Sequence, residues 1–155
     1  MKLYRLSKSN LNGKIIKPTI PDNFFTRNGY EENKTPRVCF ATTIDKCLMA
    51  LSYNCDGDEF FVHIPDNYNY RRKKPTVHEV PDSAITSEIW ILEPVKLKCI
   101  GKIKAKIPSG DDSGIPFKYG NNTAELYNWD FKWINKLSEV QQIYNELIGG
   151  SCYEN

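Results

Sequence analysis

Hydrophobic and polar positions change period several times along the chain, and the changes divide it into elements. Leu3, Arg5 and Ser7 alternate with Tyr4 and Leu6, which predicts a short first strand over residues 2–7. Alternation then stops. Residues 8–36 are punctuated by Asn12-Gly13, Pro18, Pro21-Asp22-Asn23, Asn28-Gly29 and Thr35-Pro36, a long loop of the kind that often carries function. Arg37-Val38-Cys39-Phe40-Ala41 reads as a short buried strand. The period next becomes helical: Ile44, Cys47, Leu48 and Leu51 recur at spacings of three and four, with Thr43 as the cap beside Asp45. Asp56-Gly57-Asp58 turns the chain into a strand over 59–64, which Pro65-Asp66-Asn67 ends. Arg71-Arg72-Lys73-Lys74-Pro75 reads as a basic, solvated surface loop. A lone carboxylate, Glu88, then opens an apolar run over 88–93. A Pro94 turn and a second alternating run over 95–105 predict two paired strands, with Glu88 at the mouth of the sheet.

The C-terminal third carries two periods at once. Tyr127, Trp129, Phe131 and Trp133 alternate with Asn128, Asp130 and Lys132, as a strand would, while Leu126, Trp129, Trp133 and Leu137 fit a helix. We read a strand and keep the helix as the alternative. Ser138-Glu139-Val140-Gln141 has the capping-box pattern and opens a short helix with Val140, Tyr144 and Leu147 inward, closed by Gly149-Gly150. This order of elements predicts a single α+β domain over 1–155, mainly antiparallel with short flanking helices. There is no internal repeat, and neither the dinucleotide-binding glycine fingerprint nor a phosphate-binding P-loop is present.

Composition narrows the picture further. A length of 155 residues, with 40% hydrophobic and 26% charged, fits a globular chain with a sizeable core rather than a disordered one. The net charge of +2 is too balanced to imply a nucleic-acid or membrane partner by field strength alone. No long apolar run follows Met1-Lys2-Leu3-Tyr4-Arg5, so neither a signal peptide nor a transmembrane helix is expected. The five cysteines are irregularly spaced and lack a C-x-x-C pair, which fits a reduced, cytoplasmic setting. With only His63 and His78 available, no metal site is expected. The Asn-, Lys-, Ile- and Tyr-rich style is compatible with an AT-rich bacterial or phage genome.

Three positions hold residue types that can do chemistry together. Arg5, on the first strand, has a rigid donor fork suited to a pyrophosphate or a ribose hydroxyl. Thr42 and Thr43 end the second strand and can orient a carboxylate or ligand. Glu88, at a strand start, can bond a ribose hydroxyl and stabilise an oxocarbenium-like transition state. Each also has an ordinary role: a surface ion pair for Arg5, a helix cap for the threonines, a solvated strand end for Glu88.

Leu3-Tyr4-Arg5, Cys39-Phe40-Ala41-Thr42-Thr43-Ile44 and Ser87-Glu88-Ile89-Trp90-Ile91-Leu92-Glu93-Pro94 together resemble the three motifs of the ADP-ribosyltransferase superfamily, in its branch with an Arg, a Ser-Thr-Ser-like strand end and a Glu. The resemblance covers residues 1–105 in outline, leaving 106–155 as an aromatic strand or helix plus a short helix. It implies a split, mainly antiparallel sheet holding NAD as substrate, with no metal. Arg5 would grip the phosphate or ribose side, Thr42 or Thr43 would support Glu88, and Glu88 would stabilise the cation left by nicotinamide. Asn23, Phe24 and Phe25 would cover the nicotinamide, with Phe40 also contacting the cofactor. The chain departs from the pattern in three places. Its strand end is Ala41-Thr42-Thr43, Thr86 stands where arginine-modifying members carry Glu or Gln, and Cys39 and Ala50 stand where the poly-ADP-ribosylating branch has stacking tyrosines. A protein, nucleic acid, small molecule or water is the implied acceptor, nucleic acid being the less favoured. Two other readings stand beside the enzyme. One is a non-catalytic binder of an ADP-ribose-like nucleotide, such as a phage anti-defence factor. The other is a protein–protein module using the aromatic stripe around Trp129 and Trp133.

Overall fold

The computed structural model describes residues 1–21, 31–51, 54–107, 114–119 and 121–137. Strands β1 (Arg5–Ser7), β4 (Glu59–Pro65), β7 (Val95–Lys106) and β10 (Asp130–Lys136) pair in that order, and the short β2 (Ile15–Ile16) also pairs with β7. A second sheet runs β3 (Val38–Ala41), β6 (Glu88–Ile91), β5 (Arg72–Lys73). A hairpin of β8 (Ile115–Tyr119) and β9 (Asn122–Leu126) stands apart. All of these pairings are antiparallel. Among the described residues the helices are few and short: α1 (Ile44–Met49) and α2 (Ser83–Thr86). The architecture is therefore α+β and mostly antiparallel sheet. No described helix is long and apolar enough to cross a membrane.

Strand β1 is the seam between the sheets. Its residues Arg5–Ser7 pair with β4, while the preceding Tyr4 exchanges both backbone hydrogen bonds with Ala41 of β3, at 2.8 and 3.0 Å. Strand β7 serves both halves in another way. Its register against β4 shifts between Val62 and His63, so that Val62 faces Gly101 but His63 faces Cys99. Because cross-strand partners share a face, the shift reverses which side of β7 is buried. Val95 and Leu97, before the bulge, pack with Leu3, Val38, Phe40, Ile89 and Ile91. Ile103 and Ala105, beyond it, pack with Ile44 and Leu48 of α1, with Phe60 and Val62, and with Trp129, Phe131 and Trp133 at the margin. Two cores thus lie on opposite faces of one strand.

The structure corrects four expectations. The runs on either side of Pro94 are both strands, but they do not pair with each other: β6 pairs with β3 and β5, and β7 with β4, β10 and β2. Ile89, Trp90 and Ile91 are all buried, so β6 needs a neighbour on each edge, and Leu92-Glu93-Pro94 carries the chain to the other sheet. Arg72–Lys73 of the basic loop form β5, with the Arg71 backbone N–H donating to Glu93 Oε1 at 2.5 Å and Lys73 paired with Glu79. The aromatic stripe is divided, because Tyr127 is exposed while Trp129, Phe131 and Trp133 pack against the first core. Cys39, Cys47 and Cys55 are free thiols, but Cys99 is disulfide-bonded. Spacing along the chain does not reveal which cysteines the fold brings within bridging reach. The strand alternative holds for residues 130–136, and the capping-box helix predicted from Ser138 lies outside the described residues.

His63 sits in β4 with no solvent exposure, and its Nε2 accepts the Leu11 backbone N–H at 2.9 Å. Burial pulls its pKa down to about 4. Above about pH 6.5 the ring is neutral in folded and unfolded chains alike and stability is unaffected. Between that pH and about 4 the unfolded chain takes up a proton that the core refuses, so stability falls with pH, by up to about 3 kcal/mol. Urea unfolding at pH 7 and pH 4.5 is expected to show this loss, and His63→Gln should reduce it. An equal loss in both proteins would assign it to other groups.

Candidate functional site

The site forms where the two sheets meet. Helix α2 ends at Ser87, which adopts a left-handed conformation at φ 51°, and the chain then enters β6 at Glu88. Lys46 of α1 donates from Nζ to Ser87 Oγ at 2.7 Å, tying this corner down. Ile89 and Ile91 turn into the second core, so period-two alternation sends Glu88 and Trp90 to the other face of the sheet. Ala41 lies opposite Glu88 and Cys39 opposite Trp90, so these four residues share that face. The Tyr4–Ala41 bridge lays β1 alongside, and Arg5 Nη1 donates to the Cys39 carbonyl at 3.0 Å.

Arg5 and Glu88 therefore line one cleft of about 370 Å³, together with Cys39, Phe40, Lys17 and Arg37. This volume is within the range of small-molecule sites. Phe40 lies opposite Ile89 and turns its side chain into the second core, away from the face of Glu88, while Lys17 is exposed. Arg5 Nε is buried, and no described residue accepts its proton. Thr42 and Thr43 do not line the cleft. Thr43 is exposed and occupies the N-cap position of α1 without a side-chain capping bond, and Thr42 is half-buried. Asn23, Phe24 and Phe25 lie outside the described residues.

Glu88 is held from two sides. Trp90 Nε1 donates to Glu88 Oε1 at 2.7 Å, and the Cys39 thiol also hydrogen-bonds the carboxylate. Burial raises the Glu88 pKa, the charges of Glu31 and Asp82 add to the rise, and the bonds from Trp90 and Cys39 oppose it. The Cys39 thiol is pushed far up by burial and by the Glu88 charge, and burial raises the Cys47 pKa to about 12. Neither sulfur is an activated nucleophile.

Sequence reasoning missed the residues behind this pair. Arg37 has a fully buried side chain, paired with Glu31 at 3.2 Å and Glu32 at 2.8 Å. Its guanidinium stacks 4.1 Å from the centre of the Trp90 ring, and Lys73 Nζ lies 5.4 Å from the same ring. The short spacing of Glu31, Glu32 and Arg37 was a local signal for the ion pairs; the stacking on Trp90 had none. Together these residues present a guanidinium and an oriented carboxylate in one cleft. Such a cleft can hold a ligand by an anionic group while placing negative charge beside a centre that becomes positive. Comparisons of the chain with protein-family models, with curated proteins and with solved structures find no match.

Proposed function

We propose that the protein binds NAD in this cleft and breaks its nicotinamide–ribose bond, transferring ADP-ribose to an acceptor. The observation that carries the reading is that Arg5 and Glu88, from the first strand and from the start of β6, line the same cleft. The fit of the ligand rests on the residues present. The buried Arg5 Nε, which no described residue engages, and the exposed Lys17 suit phosphate or ribose oxygens. Glu88 suits a ribose hydroxyl and the sugar cation. As the C1′–N bond breaks, its electron pair leaves with nicotinamide, which departs neutral. The ribose acquires oxocarbenium character beside the Glu88 carboxylate, and the acceptor then attacks C1′ and gives up a proton. The antiparallel α+β architecture, with β1 as the seam of two sheets, is compatible with an ADP-ribosyltransferase-like fold.

A second reading is a nucleotide binder without turnover. It is favoured by the Glu88 carboxylate already accepting from Trp90 and Cys39. Incubation with NAD separates the two, following free nicotinamide by chromatography and bound nucleotide by mass spectrometry. Nicotinamide release supports the enzyme, retention of intact nucleotide supports the binder, and neither signal defeats both. Arg5→Ala is expected to weaken NAD binding by about 10- to 100-fold, the worth of a charge-assisted hydrogen bond or two. Isothermal titration calorimetry checks this, and unchanged affinity would remove Arg5 from the site.

A further inference from the structure

The face of β6 that carries Glu88 also carries Trp90, and the contacts of Trp90 extend beyond ordinary packing. Its ring is fully buried, yet its one polar atom is spent on Glu88, at 2.7 Å. A buried indole N–H needs a partner, and here the partner is the carboxylate that faces the cleft. The ring in turn is fixed by the Arg37 guanidinium at 4.1 Å, and Arg37 is anchored by two carboxylates. A cation over an indole face is attracted by the ring quadrupole, so the orientation of Trp90 is set from behind.

We propose that Trp90 is the positioning residue of the site: its indole N–H, held in place by Arg37, fixes the orientation of the Glu88 carboxylate in the cleft. The inference rests on the functional reading above for its catalytic consequence, but its geometry is testable without turnover. The ionisable groups that act on Glu88 are the Cys39 thiol on β3, and Glu31 and Asp82 on the adjoining segments, while Arg5 lines the same cleft. Of these, Glu31 and Asp82 oppose ionisation of Glu88, and the Trp90 and Cys39 hydrogen bonds favour it. Removing the Trp90 bond therefore raises the pH at which Glu88 takes up a proton.

Two measurements test this on the full chain. The first follows the Trp90 indole N–H by nitrogen-15 NMR as pH is lowered. In the wild-type protein the resonance is expected to titrate with Glu88, above the ordinary carboxylate range, and in Glu88→Gln the titration should vanish. A Trp90 signal that does not titrate, or titrates equally in Glu88→Gln, overturns the proposal whether or not the protein turns over NAD. The second compares nicotinamide release by wild type and Trp90→Phe across pH. The variant is expected to lose about tenfold in kcat with little change in KM, and the acid limb of its kcat profile should move to higher pH. A loss confined to KM, or an unshifted acid limb, overturns the catalytic consequence. Absence of release from the wild type defeats the functional reading and leaves the NMR result to stand alone.

Discussion

Glu88→Gln is expected to cut nicotinamide release by about 10²–10³-fold, with NAD binding largely kept. The substitution conserves shape and leaves an oxygen to accept the Trp90 indole N–H, now 2.7 Å from Glu88 Oε1. What it removes is the negative charge. At a half-buried carboxylate that charge acts on the developing sugar cation more strongly than it would in solvent, and loss of a comparable preorganised electrostatic contact costs about two to three orders of magnitude in rate. Binding depends more on Arg5, which lines the same cleft, so affinity and rate should separate. The measurement is single-turnover nicotinamide release at saturating NAD, with affinity taken from calorimetry. If both proteins release nicotinamide equally, Glu88 is not the group that stabilises the cation. If Glu88→Gln binds NAD no worse and neither protein releases nicotinamide, the binder reading prevails.

Gly101→Ala should be the most damaging glycine-to-alanine change among the described residues. Gly101 sits at the β7 bulge with φ +145°, a backbone conformation that side-chain-bearing residues rarely adopt. That conformation costs roughly 2 kcal/mol in a residue with a Cβ. The added carbon would also meet the Asn135 carbonyl oxygen, with Lys136 Cα and the Trp133 ring both at 2.9 Å. Two of those atoms are backbone of β10, so relief requires moving a strand, which adds roughly 2 kcal/mol or more. Urea unfolding should show a loss of about 4 kcal/mol, a large part of the stability of a domain this size. A loss under about 1 kcal/mol would mean that β10 does not pack against β7 in this register.

The strands were legible where burial alternates. Glu59–Pro65 and Val95–Lys106 alternate buried and more exposed positions on either side of the bulge, and Val38–Ala41 is a short, mostly buried run; both patterns are local. Partner choice was not legible. Three residues separating two strands look like a hairpin connection, yet Leu92, Glu93 and Pro94 cross between sheets, because β6 finds both its neighbours far away in sequence. The hairpin of β8 and β9 did leave a mark, the Gly-Asn dipeptide at 120–121 between two runs, and it went unread. The site followed the same division. Arg5 and Glu88 stood out by residue type at the start of their strands, and the fold brings them to one cleft. Thr42 and Thr43 stood out equally, but the strand ends before them and they do not line it. Arg37 and Trp90 were unreadable as a pair, since their stacking exists only once β3 and β6 lie side by side.

The reversal of the buried side along β7 bears on how the molecule comes apart. A twelve-residue strand that anchors one core by its first half and the other by its second cannot be released from either alone. Its pairing with β4 resumes on both sides of the bulge, from Glu59 to Pro65, with only Ile100 left out of register. Melting the half that carries Phe60 and Ile103 therefore strips support from the half that carries Phe40 and Ile89. The two cores form one cooperative folding unit, and the cleft at their seam inherits the opening free energy of the whole domain rather than of a local flap.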